Sequence, residues 1–162
     1  KTKLSKEFVN LDLSIHYFEE QEDLSLLSIE DIIDSLDVKI LMLSDGDKDR
    51  VIRNISVAGL TLDNFLDHIQ EDDLVIVPAD RSDIILGLFG ALYSKAYPNI
   101  SGIIFPFDMK AHPNIQKLLN SLDGFSIPIL SINLDTYQTA KALSKVHPRF
   151  RVDSKRKIAL AS

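Results

Sequence analysis

Two adjacent residues of opposite charge, Asp80 and Arg81, follow the apolar run Leu74-Val-Ile-Val-Pro-Ala and precede Ser82. An aspartate can hold or move a proton, and an arginine can grip an anion through its planar fork of N–H donors. Together they suit a small anionic molecule, as a binding pair or as a base beside an anion clamp. Four consecutive apolar residues, Leu74 to Val77, read as a strand buried on both faces, a central strand of a parallel sheet. Pro78 has no N–H and closes that strand, and the spacing predicts a helix from near Asp83. Asp80 and Arg81 therefore fall where open α/β sheets bind ligands, at the carboxyl end of a strand. The same residues also have a structural reading, in which Asp80 or Ser82 caps the helix and Arg81 pairs with a neighbouring carboxylate.

Other chemistry finds little support. The chain of 162 residues has no cysteine, so thiolate zinc sites and disulfides are excluded. His16, His68, His112 and His147 are far apart, without the spacing of a metal site or a nucleophile triad. His112 and His147 each precede a proline and read as loop residues. None of the six glycines opens a phosphate-binding loop or a dinucleotide fingerprint, so no cofactor is expected. Ser44-Asp-Gly-Asp-Lys-Asp resembles the start of a calcium loop, but Arg50 holds the glycine position and Ser56 that of the bidentate glutamate. The acidic cluster Glu19, Glu20, Glu22 and Asp23 reads as a solvated face or linker. A net charge of −6 argues against nucleic acid as a partner, and no apolar run approaches the ~20 residues of a membrane span. The basic tail with Arg149, Arg151, Lys155, Arg156 and Lys157 reads as a linker or an anion-binding patch.

The elements that must position these residues follow from periodicity. Leu11 to Tyr17 alternates like a half-exposed strand. Ser28 stands at a helix N-cap, ahead of Ile29, Ile32, Ile33 and Leu36 on one stripe. Val38 to Leu43 and Val51 to Val57 read as strands, and Thr61 caps a helix with Leu62, Phe65, Leu66 and Ile69 inward. The helix after Arg81 runs to about Lys95 and carries Gly87, Gly90 and Ala91, a small-residue patch fit for close approach to the sheet or to a second subunit. Gly102-Ile-Ile-Phe is a further strand, Pro113 opens a helix that Gly124 ends, Pro128 to Ile132 is the next strand, and Asp135 caps the last helix. From Leu74 onward strand and helix alternate, which predicts a three-layer α/β/α domain with a mostly parallel sheet and helices on both faces.

Three segments together resemble the DRTGG domain, the middle domain of long bacterial phosphate acetyltransferases. Leu74 to Leu86 resembles its Asp-Arg segment, Gly102 to Asp108 aligns with its second signature, and Leu134-Asp-Thr-Tyr-Gln-Thr-Ala resembles its Asp-Thr-Tyr/Trp-x-Thr segment. The likeness covers residues 28–152. Residues 1–27 then read as a linker from, or remnant of, a preceding P-loop-like domain, and 153–162 as a tail towards a following one. The resemblance implies a cytoplasmic, homo-oligomeric, non-catalytic regulatory or assembly role, with acetyl transfer carried by a separate carboxyl-terminal domain. It places Asp80, Arg81, Asp108 and Thr136 as effector-binding residues. A stand-alone small-ligand sensor is the alternative. Two departures stand out: Pro106-Phe107-Asp108 replaces Thr-Gly-Gly, and Ala79 replaces the glycine before Asp-Arg. A bulky aromatic and a carboxylate there are expected to crowd and repel an anion.

Overall fold

Strands that are apolar on both faces must be covered on both faces, and the helices arrange themselves accordingly. A computed structural model describes residues 26–121 and 127–149. Its elements are β1 (Leu27–Ser28), α1 (Ile29–Ser35), β2 (Val38–Met42), a 3-10 turn (Asp47–Asp49), β3 (Val51–Ile52), β4 (Asn54–Val57), α2 (Leu62–Leu66), β5 (Asp73–Ile76), α3 (Ser82–Ser94), β6 (Gly102–Phe105), α4 (Pro113–Asn120), β7 (Ile129–Ile132) and α5 (Thr136–Leu143). The main sheet has the order β2-β7-β6-β5-β4, parallel from β4 to β7, with β2 antiparallel to β7. On one face Val75, Ile103, Phe105 and Ile129 meet side chains of α2, α3 and α4; on the other Leu74, Ile76, Ile104 and Leu130 meet α1 and α5. This is the three-layer, mostly parallel α/β/α domain that the alternation predicts.

Several local readings hold. Ser28 caps α1 in a reciprocal capping box with Asp31, Ser28 N donating to Asp31 Oδ2 at 3.0 Å and Asp31 N to Ser28 Oγ at 3.3 Å. Other readings change. The Leu74 strand is interior but not central, since β6 holds the middle and β5 lies beside the edge strand β4. The strand expected from Val51 to Val57 divides at exposed Arg53, whose N–H donates to Asp72 O at 3.0 Å; β3 joins β1 in a separate ribbon while β4 joins the sheet. Thr61 is the N-cap residue of α2, but its hydroxyl accepts from the Asn64 side chain at 2.8 Å and not from a helix N–H. The Leu11 strand, His16, the acidic cluster at 19–23, Gly124 and the tail from 150 lie outside the described residues.

The two glycines of α3 serve different ends. A Cβ on Gly87 would sit 2.2–2.8 Å from the side-chain carbons of Leu62, so its bareness lets α2 close on α3 within the chain; a Cβ on Gly90 would meet nothing within 4 Å. Gly90→Ala should therefore raise stability by about 1 kcal/mol through helix propensity. Gly87→Ala should lower it by roughly 1 kcal/mol or more, because Leu62 must be displaced. Urea unfolding midpoints separate the two, and equal stabilisation by both would show that the Leu62 contact is not tight.

Candidate functional site

The four parallel strands deliver their carboxyl ends to one edge, and the loops there carry the candidate residues. Beyond β5 the ladder continues, with Val77 N donating to Ile104 O at 3.1 Å and Ala58 N to Ile76 O at 2.9 Å. Arg81 itself is the N-cap position of α3 and makes no side-chain cap. Neither Asp80 nor Ser82 caps the helix: Ser82 is its first residue, and Asp80 offers only its carbonyl to Ser82 N at 2.9 Å. The ion-pair half of the structural reading does hold. Arg81 Nε and Nη2 donate to the two oxygens of Asp83 at 2.9 and 2.8 Å, and Nη2 also reaches Leu60 O in the β4–α2 loop at 3.2 Å. The hydrogen bonds from Arg81 hold the Asp83 carboxyl down to about 2 against an ordinary 3.8. Asp83 in turn raises the guanidinium above its usual range.

The β6–α4 loop is built differently. Phe107 and Asp108 both adopt left-handed backbone, φ +61° and +53°. For a residue with a side chain such as Phe107 that conformation costs about 1–2 kcal/mol, and neighbouring contacts must over-determine it. The contacts are present: Phe107 N donates to Leu134 O and Asp108 N to Ile132 O, both at 2.8 Å, binding the loop to the start of the β7–α5 connection. The Asp108 carboxylate pairs with Lys39 of β2 and accepts from buried Ser131 Oγ of β7 at 3.0 Å. Those bonds, Lys39 first, hold its carboxyl below the ordinary range. Lys39 and Ser131 face each other in the β2–β7 register, so one carboxylate closes the end of that strand pair.

Thr136 is the first residue of α5, half-buried, while the cap is made by Asp135, which accepts Gln138 N at 2.7 Å as the spacing predicts. Among the described residues no hydrogen bond or ion pair joins the four expected effector residues to one another. Arg81 is held toward β4 and Asp108 toward β7 and β2; Asp80 and Thr136 make no side-chain hydrogen bond among the described residues. Lys39 and Ser131 escaped the sequence reading, although a serine inside the apolar run Ile129-Leu-Ser-Ile was a signal that something polar must meet it. The small cleft beside this loop, about 250 Å³ between β2 and α4, falls below the usual range of ligand pockets. Among the described residues no three histidines or carboxylates converge to hold a metal. In the loop with calcium-like spacing, Asp47 is engaged by Ser44 N and Arg50 Nε at 2.9 and 2.8 Å.

The model of the DRTGG domain matches residues 31–146. The chain belongs to the DRTGG domain family. Phosphate acetyltransferase of Nitratidesulfovibrio vulgaris is 32% identical over 149 residues, 92% of this chain and 21% of the relative. That of Synechocystis is 32% identical over 126 residues, 77% of this chain and 18% of the relative. The chain thus spans about a fifth of the length of these relatives. Among solved structures, the CBS and DRTGG domains of the regulatory region of Clostridium perfringens pyrophosphatase, complexed with the activator diadenosine tetraphosphate, match with a TM-score of 0.58. The identity there is 17%, over 87% of this chain and 55% of the other. In this DRTGG domain Phe107 and Asp108, the two positions at which the resemblance expects glycines, adopt left-handed backbone. Their N–H groups donate to the Leu134 and Ile132 carbonyls.

The Arg81–Asp83 pair makes a pH-dependent prediction. Because Asp83 is depressed in the folded state, the pair stabilises fully above pH 3.8 and is lost as pH falls through about 2. Carboxyl chemical shifts should place Asp83 near 2 in the native sequence and clearly higher in Arg81→Ala. An unmoved midpoint would mean that the guanidinium is not engaged as described.

Proposed function

We propose that this chain is the non-catalytic regulatory and assembly domain of a phosphate acetyltransferase, whose acetyl transfer between acetyl-coenzyme A and phosphate is carried by a separate carboxyl-terminal domain. The observation that carries the reading is the internal pairing at the carboxyl edge: Arg81 with Asp83, and Asp108 with Lys39 and Ser131. In these pairs the charged groups tie loops and strand ends to one another, the task of a regulatory or assembly domain. The phosphate acetyltransferase relatives, matched over about a fifth of their length, support the parent enzyme and a place within a longer chain. The pyrophosphatase regulatory region supports a regulatory role for the fold. An effector at the strand ends would meet Asp80 and Thr136, whose side chains are uncommitted, and leave the Arg81 and Asp108 pairs in place.

Assembly is favoured by the outer face of α3. Of the small residues on that helix, Gly87 is taken up by Leu62 and Ala91 is buried, which leaves Gly90 in the open. Leu86, Gly90 and Tyr93 follow helical spacing and form an exposed stripe, with exposed Tyr97 just past the end of the helix. A second copy placed on this stripe about a two-fold axis would cover it. Sedimentation of the 162-residue chain should show a dimer. Gly90→Leu, which has room to fold, should weaken that dimer about tenfold or more. The chain should make no acetyl phosphate from acetyl-coenzyme A and phosphate. Formation of acetyl phosphate would overturn the non-catalytic reading, and a monomer at high concentration would overturn assembly through α3.

A further inference from the structure

Away from the carboxyl edge, α5 and the end of α1 frame an open groove of about 760 Å³. Leu36, Leu134, Ala142 and Val146 form an apolar floor, and Lys141 and Lys145 form the rim. Gln138 and Lys141 lie at i and i+3 on α5, and Lys145 follows in the turn just beyond the helix, so all three line the same side of the groove. No aspartate or glutamate lines it, and neither lysine side chain has an ion pair or hydrogen bond among the described residues. In a chain of net charge −6 this is a concentrated positive site.

The groove ends beside the start of the domain. Arg149, at its far end, donates its backbone N–H to Asp31 Oδ1 at 3.1 Å, and Asp31 Oδ2 takes Ser28 N and Ser28 Oγ at 3.0 and 2.7 Å. One buried carboxylate thus ties the residues preceding α1 to the groove. Not far ahead of Ser28 in sequence comes Tyr17-Phe-Glu-Glu-Gln-Glu-Asp, two aromatics followed by four acids. At ~3.3–3.6 Å per extended residue the acids begin within roughly 18 Å of Ser28, while α1 is only about 10 Å long. Reach is therefore ample.

We propose that residues 17–23 of this same chain dock in the groove, with Tyr17 and Phe18 on the apolar floor and the carboxylates against Lys141 and Lys145. Charge selects this occupant over the tail that leaves from Arg149, because Arg151, Lys155, Arg156 and Lys157 would be repelled by the same lysines. The groove then becomes the contact through which residues 1–27 are oriented against the domain.

Because the chain has no cysteine, an introduced pair is the only source of thiols. Gln21→Cys with Gln138→Cys tests the docked arrangement without altering a charge. Gln21→Cys with Asn114→Cys on α4, across the sheet, is the control. With oxidised glutathione in dilute solution, the groove pair should close an intramolecular disulfide about tenfold or more faster than the control. Adding Lys141→Glu and Lys145→Glu should remove the advantage, and reversing Glu19, Glu20, Glu22 and Asp23 to Lys in that variant should restore it. Equal rates for the two pairs, an advantage that survives the lysine reversal, or a product that is mainly disulfide-linked dimer would each overturn the proposal.

Discussion

The carboxyl edge depends on two backbone hydrogen bonds, those from Phe107 N to Leu134 O and from Asp108 N to Ile132 O. A parallel sheet ends with carbonyls and amides that must find partners, and here the β6–α4 loop folds back to supply them. To do so it takes left-handed backbone at two consecutive residues that are not glycine. Once the loop is in that conformation, the Asp108 carboxylate reaches Ser131 and Lys39 and fastens the antiparallel strand β2 to the parallel set. The edge that open α/β sheets commonly offer to ligands is thereby used to join strands.

The same division between holding and binding runs through the rest of the molecule. Arg81 links the β5–α3 turn to the β4–α2 loop through Leu60 O while Asp83 balances its charge. Asp31 links the start of α1 to Arg149. Lys141 of α5 and Lys145 just beyond it, without such partners among the described residues, line the groove instead. The internal pairing gives the charges at the strand ends a structural task, holding loops and strands together.

What was legible in the sequence was local. The Leu74 strand, the Ser28 and Asp135 caps and the stripes of the helices depend on neighbours within a turn or a pleat, and they hold. The three-layer arrangement followed from strands apolar on both faces. Strand order did not: nothing near Leu74 shows that β6 takes the centre, or that β2 runs antiparallel to β7. At the site, the Arg81–Asp83 pair was visible as one of two readings because its partners are two residues apart. The Lys39–Asp108–Ser131 cluster was not, since its members are separated by 69 and 23 residues. Replacement of the motif glycines suggested a crowded anion site; the structure shows amides already bonded to carbonyls, a fact that residue types alone do not carry.

The most direct test of this account is amide hydrogen exchange at Phe107 and Asp108, with and without inorganic phosphate. Engaged by Leu134 O and Ile132 O, both amides should be protected and indifferent to phosphate. Rapid exchange that slows when phosphate is added would contradict the account, because it would mean that these amides await an anion.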